Sequence, residues 1–125
     1  MAKELAPLCI YTIKHSRDFL KRRRGTFHEN RRWTTARRLL ERAQGDDQLL
    51  AVVFAQAEFT DDLVAWAYLT DIQIDSDGTN YTFSKLTRFG PPFPKKTDLF
   101  KRNGKRLSAE FIRPYAICQT PPFLD

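Results

Sequence analysis

Histidine and cysteine are almost absent from this chain, with two of each in 125 residues. His15, His28, Cys9 and Cys118 show neither CxxC nor HxxxH spacing, so no metal site is expected. A glycine-rich phosphate loop is also missing. The stretches GTFHEN and GPPFP fit no nucleotide fingerprint, and no cofactor is expected. No apolar run approaches the roughly 18 residues of a membrane span, and the opening MAKELAPL lacks a signal-peptide core. These absences predict a cytoplasmic protein without a membrane partner, whose two cysteines are buried reduced thiols in the first and last strands. There are no internal repeats and no low-complexity stretches, and the expectation is a single domain over 1–125, with its core at about 8–118 and a proline-containing tail at 119–125.

Catalytic constellations are equally scarce. His15, Ser16 and Asp18 fall within four residues, whereas a nucleophile, base and orienting acid are assembled from separate elements. The run His28, Glu29, Asn30 lacks the second half of any nuclease motif. Asp61, Asp62, Asp71, Asp75 and Asp77 have the spacing of turn residues beside strands. No catalytic residue is therefore assigned.

What the chain does have is a dense apolar centre at residues 45–75, GDDQLLAVVFAQAEFTDDLVAWAYLTDIQID. Its first run, 49–57, is apolar at both parities and reads as a central strand covered on both faces. In the second, 63–74, Val64, Trp66, Tyr68, Ile72 and Ile74 share one parity, which predicts one strand face made of these residues. Before this pair, LCIYTIK (8–14) reads as a strand. Ser16 would cap a short helix over 17–24, residues 26–32 read as a loop, and Thr34 would cap a helix over 34–44. That helix places Ala36, Leu39, Leu40 and Ala43 on one face and Arg37, Arg38, Glu41 and Arg42 on the other. Residues 76–80 are a turn cluster leading into a strand over 81–89, and a helical turn near 97–102 precedes a last strand over 111–118, where Pro114 belongs at an edge or bulge. The expected fold is α+β: a small, mostly antiparallel β-barrel with two helices inserted after the first strand.

Net charge is +6, unevenly spread. Residues 14–42 hold eleven Lys and Arg against three acids, a local +8, leaving −2 for the remainder. Such asymmetry favours a polyanionic partner. Arg22, Arg23, Arg24, Arg31 and Arg32 bracket a segment containing Phe27, His28 and Trp33, and the arginines suit phosphates as the aromatics suit unpaired bases. Trp66, inside the apolar centre, reads as core.

Four features resemble the PUA-like superfamily, and within it the EVE and YTH branches. The first strand ends in Ile13-Lys14-His15-Ser16. Trp33 precedes the helix in WTTARRLLERAQGD, similar to the EVE order of Trp, Ala-Arg, Leu and Gly-Asp. The strand pair containing 50–54 and 64–69 carries Ala65-Trp66-Ala67 where YTH domains have Gly-Ala, and 111–117 resembles their closing strand. The chain departs from those families in two places: no tryptophan follows Trp66 to complete a methyl-base cage, and Arg17-Asp18 replaces the Glu-Pro that follows the first EVE strand.

The resemblance implies a nucleic-acid-binding module, a reader of a modified or flipped DNA or RNA base without catalysis of its own. Its base pocket would be lined by Lys14, His15, Ser16, Trp33 and Thr34, with Trp33 stacking on the base and His15 and Ser16 reading its edge; the alternative for Trp33 is a packing anchor at the start of the helix. Arg22, Arg23, Arg24, Arg31 and Arg32 would contact phosphate, and Arg37 and Arg38 would extend that face. Two alternatives remain. The ASCH branch of the same superfamily implies a small enzyme acting on RNA or nucleosides, with Lys21, Thr26 and Glu29 as counterparts of its polar groups. A protein-interaction module with an acidic partner is the other.

Overall fold

The structure, a computed structural model, describes residues 3–14, 18–21, 23–56, 62–108 and 115–124. Six strands form one mixed sheet: β1 (Leu8–Lys14), β2 (Gly25–Glu29), β3 (Leu50–Gln56), β4 (Leu63–Asp75), β5 (Gly78–Arg88) and β6 (Tyr115–Gln119), in the order β2-β5-β4-β3-β1-β6. Four of the five pairings are antiparallel; β1 and β3 run parallel. The one α-helix among the described residues, α1 (Thr34–Gly45), belongs to the crossover between those two parallel strands.

β1 occupies the expected residues, and β3 is buried at every position, as its two-parity apolar run requires. Its even residues Leu50, Val52 and Phe54 join Ile10, Ala65, Ala67, Tyr81 and Phe83 on one side of the sheet, where Ala36, Leu40 and Ala43 of α1 pack. Leu39 is half-buried, and Arg37, Arg38, Glu41 and Arg42 are exposed, so α1 presents the expected faces. The odd residues Ala51, Val53 and Ala55 join Cys9, Tyr11, Trp66, Leu99, Leu107 and Cys118 on the other side. Both cysteines are free and buried, and burial raises both thiols, Cys118 to about 11.

Three expectations are corrected. Of the helix expected over 17–24, the described residues hold a single 3-10 turn, Asp18–Lys21, while Arg17 and Arg22 lie outside the described residues. A helical nucleus is costly, three successive arginines do not stabilise one, and the Arg23 carbonyl instead accepts the Leu86 N–H at 2.8 Å. The loop expected over 26–32 contains β2, whose alternation is carried on the inner side by Phe27 alone among large apolar residues. In β4, Trp66 and Tyr68 face one side while Val64, Ile72 and Ile74 face the other, because extra β4 residues at the shifts opposite Phe54/Ala55 and at Leu69/Asp71 break the parity. The position expected for Pro114 lies outside the described residues.

The sheet is not closed into a barrel by backbone pairing among the described residues. It is nevertheless strongly curled. Four strand spacings separate β2 from β1, about 19 Å if the sheet were flat, yet Lys14 Nζ of β1 donates to Glu29 Oε1 of β2 at 2.9 Å. Likewise Trp33, just past β2, lies 4.9 Å from Tyr115 at the start of β6, ring centre to ring centre. The two edges of the sheet therefore meet side chain to side chain across a seam.

Candidate functional site

The seam is built from short-range necessities. Gly78 opens β5 at φ +129°, and a Cβ there would lie 2.1 Å from the Glu29 carbonyl oxygen, so only glycine lets the β4–β5 hairpin touch the end of β2. Its neighbour Thr79 is buried, and its hydroxyl donates to the Arg31 carbonyl at 2.7 Å while accepting the Trp33 N–H at 2.9 Å. One threonine thus pins the chain on both sides of Arg32 and fixes the entry into α1. Trp33 occupies the N-cap position without a side-chain cap bond.

Inside the seam, Trp33 is fully buried and stacks on Tyr81 at 4.4 Å and 14°. Phe27 stacks on Phe83 at 5.2 Å. The Lys14 ammonium lies 4.0 Å from the Phe27 ring centre and 5.0 Å from that of Tyr81, a cation held by π-faces as well as by Glu29. The side chains of Lys14 and Glu29 are 12% and 18% exposed. Burial holds the Lys14 amine below its ordinary range, and Glu29 opposes that shift. Burial, with the Glu29 charge adding to it, pushes the Tyr81 phenol up. Tyr81 OH and Trp33 Nε1 are buried and find no hydrogen-bond partner among the described residues.

The predicted pocket is therefore divided. Lys14 and Trp33 come together around Tyr81, whereas Thr34 is exposed in a separate groove with Arg32, Arg37, Arg38, Glu41 and Ile74, of about 340 Å³. His15, Ser16 and Arg22 lie outside the described residues. Trp33 presents no open ring face, so the stacking role expected of it has no support in this arrangement. Phe27 is half-buried in the seam, while His28 points outward and hydrogen-bonds Asn80 at 2.8 Å. Glu29, Tyr81 and Tyr115 were not legible as pocket residues. Glu29 was expected in a loop and entered only as a counterpart of an ASCH polar group, and the tyrosines lie in strands distant along the chain.

Arg23, Arg24, Arg31, Arg32, Arg37 and Arg38 are all exposed. The first two precede β2 and the next two follow it, so they flank a strand of about 17 Å. Arg37 pairs with Glu41 at 3.2 Å in an exposed i,i+4 contact worth a few tenths of a kcal/mol, too little to withhold it from a stronger anion. Of the residues drawn from the ASCH resemblance, Lys21 and Thr26 are exposed, and Thr26 bonds to Thr82 at 3.0 Å on the outer face. They do not join Glu29 in the seam. Among the described residues, no three His, Cys, Asp or Glu side chains are grouped as metal ligands. Among the described residues, no helix is long and apolar enough to cross a membrane.

Comparison with known proteins gives no match: no family model, no curated protein and no solved structure matches the chain.

Proposed function

We propose that this chain is a nucleic-acid-binding module that grips phosphates with the arginines around β2 and the start of α1. The observation that carries the reading is the exposure of all six described arginines of that segment, set on a backbone anchored by Thr79 and Leu86. Planar guanidiniums with free donors suit phosphate oxygens, and a fixed backbone lowers the cost of ordering them. The sequence resemblance to PUA-like, EVE and YTH proteins supports the same reading. A base-reading function would set the base against Lys14, Trp33 and Tyr81 at the seam; the expected pocket residues His15 and Ser16 lie outside the described residues. Tyr81 OH and Trp33 Nε1 are buried donors with capacity to spare for a base edge.

If about five arginines engage single-stranded phosphates, log affinity falls against log salt with a slope of roughly −3 to −4. Filter binding of single- and double-stranded oligonucleotides, plain and base-modified, across a salt series measures it. A flat response removes electrostatic binding and this reading with it.

A second reading, a small enzyme acting on RNA or nucleosides, draws on a different observation. Lys14 is a buried amine with a lowered pKa beside a carboxylate, a combination frequent at reactive sites. Cleaved strands or freed bases after incubation with the same oligonucleotides would select it.

A further inference from the structure

Outside residues 14–42 the charge sums to −2, but that sum conceals a second cationic cluster. Residues 95–106 hold six Lys and Arg against Asp98 alone, masked in the total by the acids between Asp46 and Asp77. Two of the six are otherwise engaged: Lys96 is buried, and Lys95 pairs with Asp62. Among the described residues, no carboxylate lies within ion-pair distance of Lys101, Arg102, Lys105 or Arg106.

These four sit on a built turn. The Lys101 N–H donates to the Lys105 carbonyl at 2.7 Å and the Gly104 N–H to the Lys101 carbonyl at 2.9 Å, with Gly104 at φ +87°. Its roots, Leu99 and Leu107, are fully buried and joined by a 2.8 Å backbone bond. At the start of the turn, Phe100 is 39% exposed, the one exposed large apolar side chain among the described residues. The Arg106 guanidinium lies 4.8 Å from its ring centre.

The turn also lies at the seam. The Arg102 N–H donates to the Ile117 carbonyl at 3.2 Å, and the Gln119 N–H to the Phe100 carbonyl at 2.7 Å, which adds this segment to the outer edge of β6. At the other end of β6, Tyr115 meets Trp33, the residue after Arg31 and Arg32. Three residues of strand, about 10 Å, separate Tyr115 from Cys118, where Lys101 is bridged. Basic groups thus stand on both rims of one seam.

We infer that the turn at residues 100–106 is a second contact for a single-stranded nucleic acid that crosses the seam from the arginines around β2. Arg102 and Lys105 take phosphates, and Phe100 with Arg106 supplies a stacking platform for an unpaired base. The inference rests on the nucleic-acid reading proposed above. Single-stranded substrate is specified because an exposed aromatic reaches the face of a base only where bases are unstacked.

The test compares wild type with the triple variant Phe100→Ala, Arg102→Gln, Lys105→Gln on oligo-dT strands of about 6 and about 20 nucleotides. All three side chains are exposed, so the melting temperature should hold and serves as the folding control. The long strand should bind the variant at least about fivefold more weakly, with the salt slope shallower by about 1.4 for two lost phosphate contacts. The short strand, held by the arginines around β2, should bind both proteins alike. Wild-type affinity and slope of the variant on the long strand would overturn the inference and leave the proposed function standing. Failure of the wild type to bind either strand in a salt-dependent way would remove the proposed function and this inference together. If the variant loses binding to phosphatidylserine vesicles but not to the long strand, the turn serves an anionic membrane surface and the inference is wrong.

Discussion

Trp33→Ala is expected to cost about 3–5 kcal/mol of folding stability, a large share of what a domain of this size has. The indole is fully buried, with one face on Tyr81 and Tyr115 close against it. Truncation leaves a cavity between α1 and the seam and removes an aromatic stack worth about 0.5–1.5 kcal/mol beyond its area. One effect runs the other way. The buried Nε1–H has no partner among the described residues, and deleting an unsatisfied donor returns about 1–3 kcal/mol. The cavity term is larger, so the net effect stays destabilising. Trp33→Phe separates the two, since it keeps a ring on Tyr81 while removing the donor, and should lose under about 1.5 kcal/mol. Urea titrations of both variants measure this. A loss below about 1 kcal/mol for Trp33→Ala would show that the ring does not anchor the helix. Weaker oligonucleotide binding per folded molecule would restore the stacking role.

Glu29→Ala is expected to cost about 2–4 kcal/mol at neutral pH, because it strands the Lys14 ammonium in a site 12% exposed. The π-faces of Phe27 and Tyr81 keep the loss below that of a bare buried charge. The pH dependence identifies the cause. Burial already lowers Lys14 from its ordinary 10.5, and Glu29 counteracts burial, so removing Glu29 lowers it further. In the variant, the unfolded chain then binds the proton more tightly than the folded one between the folded value and 10.5. Stability must rise with pH across that window, as Lys14 becomes neutral in the folded state while the unfolded chain still carries the charge. Lys14→Met combined with Glu29→Leu removes both charges and should recover most of the loss. A pH-independent loss, or a double variant as unstable as the single one, would show that the ion pair is not what Glu29 contributes.

Legibility along the chain followed locality. β1, β3 and α1 could be read because their burial is dictated by their own periodicity: Leu50 to Gln56 is apolar throughout but for its end, and Ala36, Leu40 and Ala43 recur at helical spacing. β2 was missed because it is an edge strand whose inner face carries one large apolar residue, Phe27, between polar neighbours. The faces of β4 were misread at Ile72 and Ile74, since a bulge leaves no mark on a count of every second residue. At the site, Lys14 and Trp33 were recognised, but their partners Glu29, Tyr81 and Tyr115 were not. Those contacts depend on how far the sheet curls, a property of all six strands that no single segment encodes. The turn at 100–106 escaped for an arithmetic reason: opposite charges from different segments cancel in a sum taken along the chain.

The parallel pairing of β1 with β3 has a consequence for the life of the chain before it is fully folded. β4 and β5 join across two residues, from Asp75 to Gly78, and β3 pairs with β4 across a short connection, so this meander can assemble at little closure cost. β1 has no such neighbour. It must wait for a crossover containing β2 and α1, and β6 reaches it only when Cys118 comes opposite Cys9. Until then β3, apolar on both faces, is the bare edge of a three-stranded sheet, with its N–H and C=O groups offered to any passing strand. The strand that opens the chain is therefore also the cover that keeps its most aggregation-prone segment out of reach of other molecules.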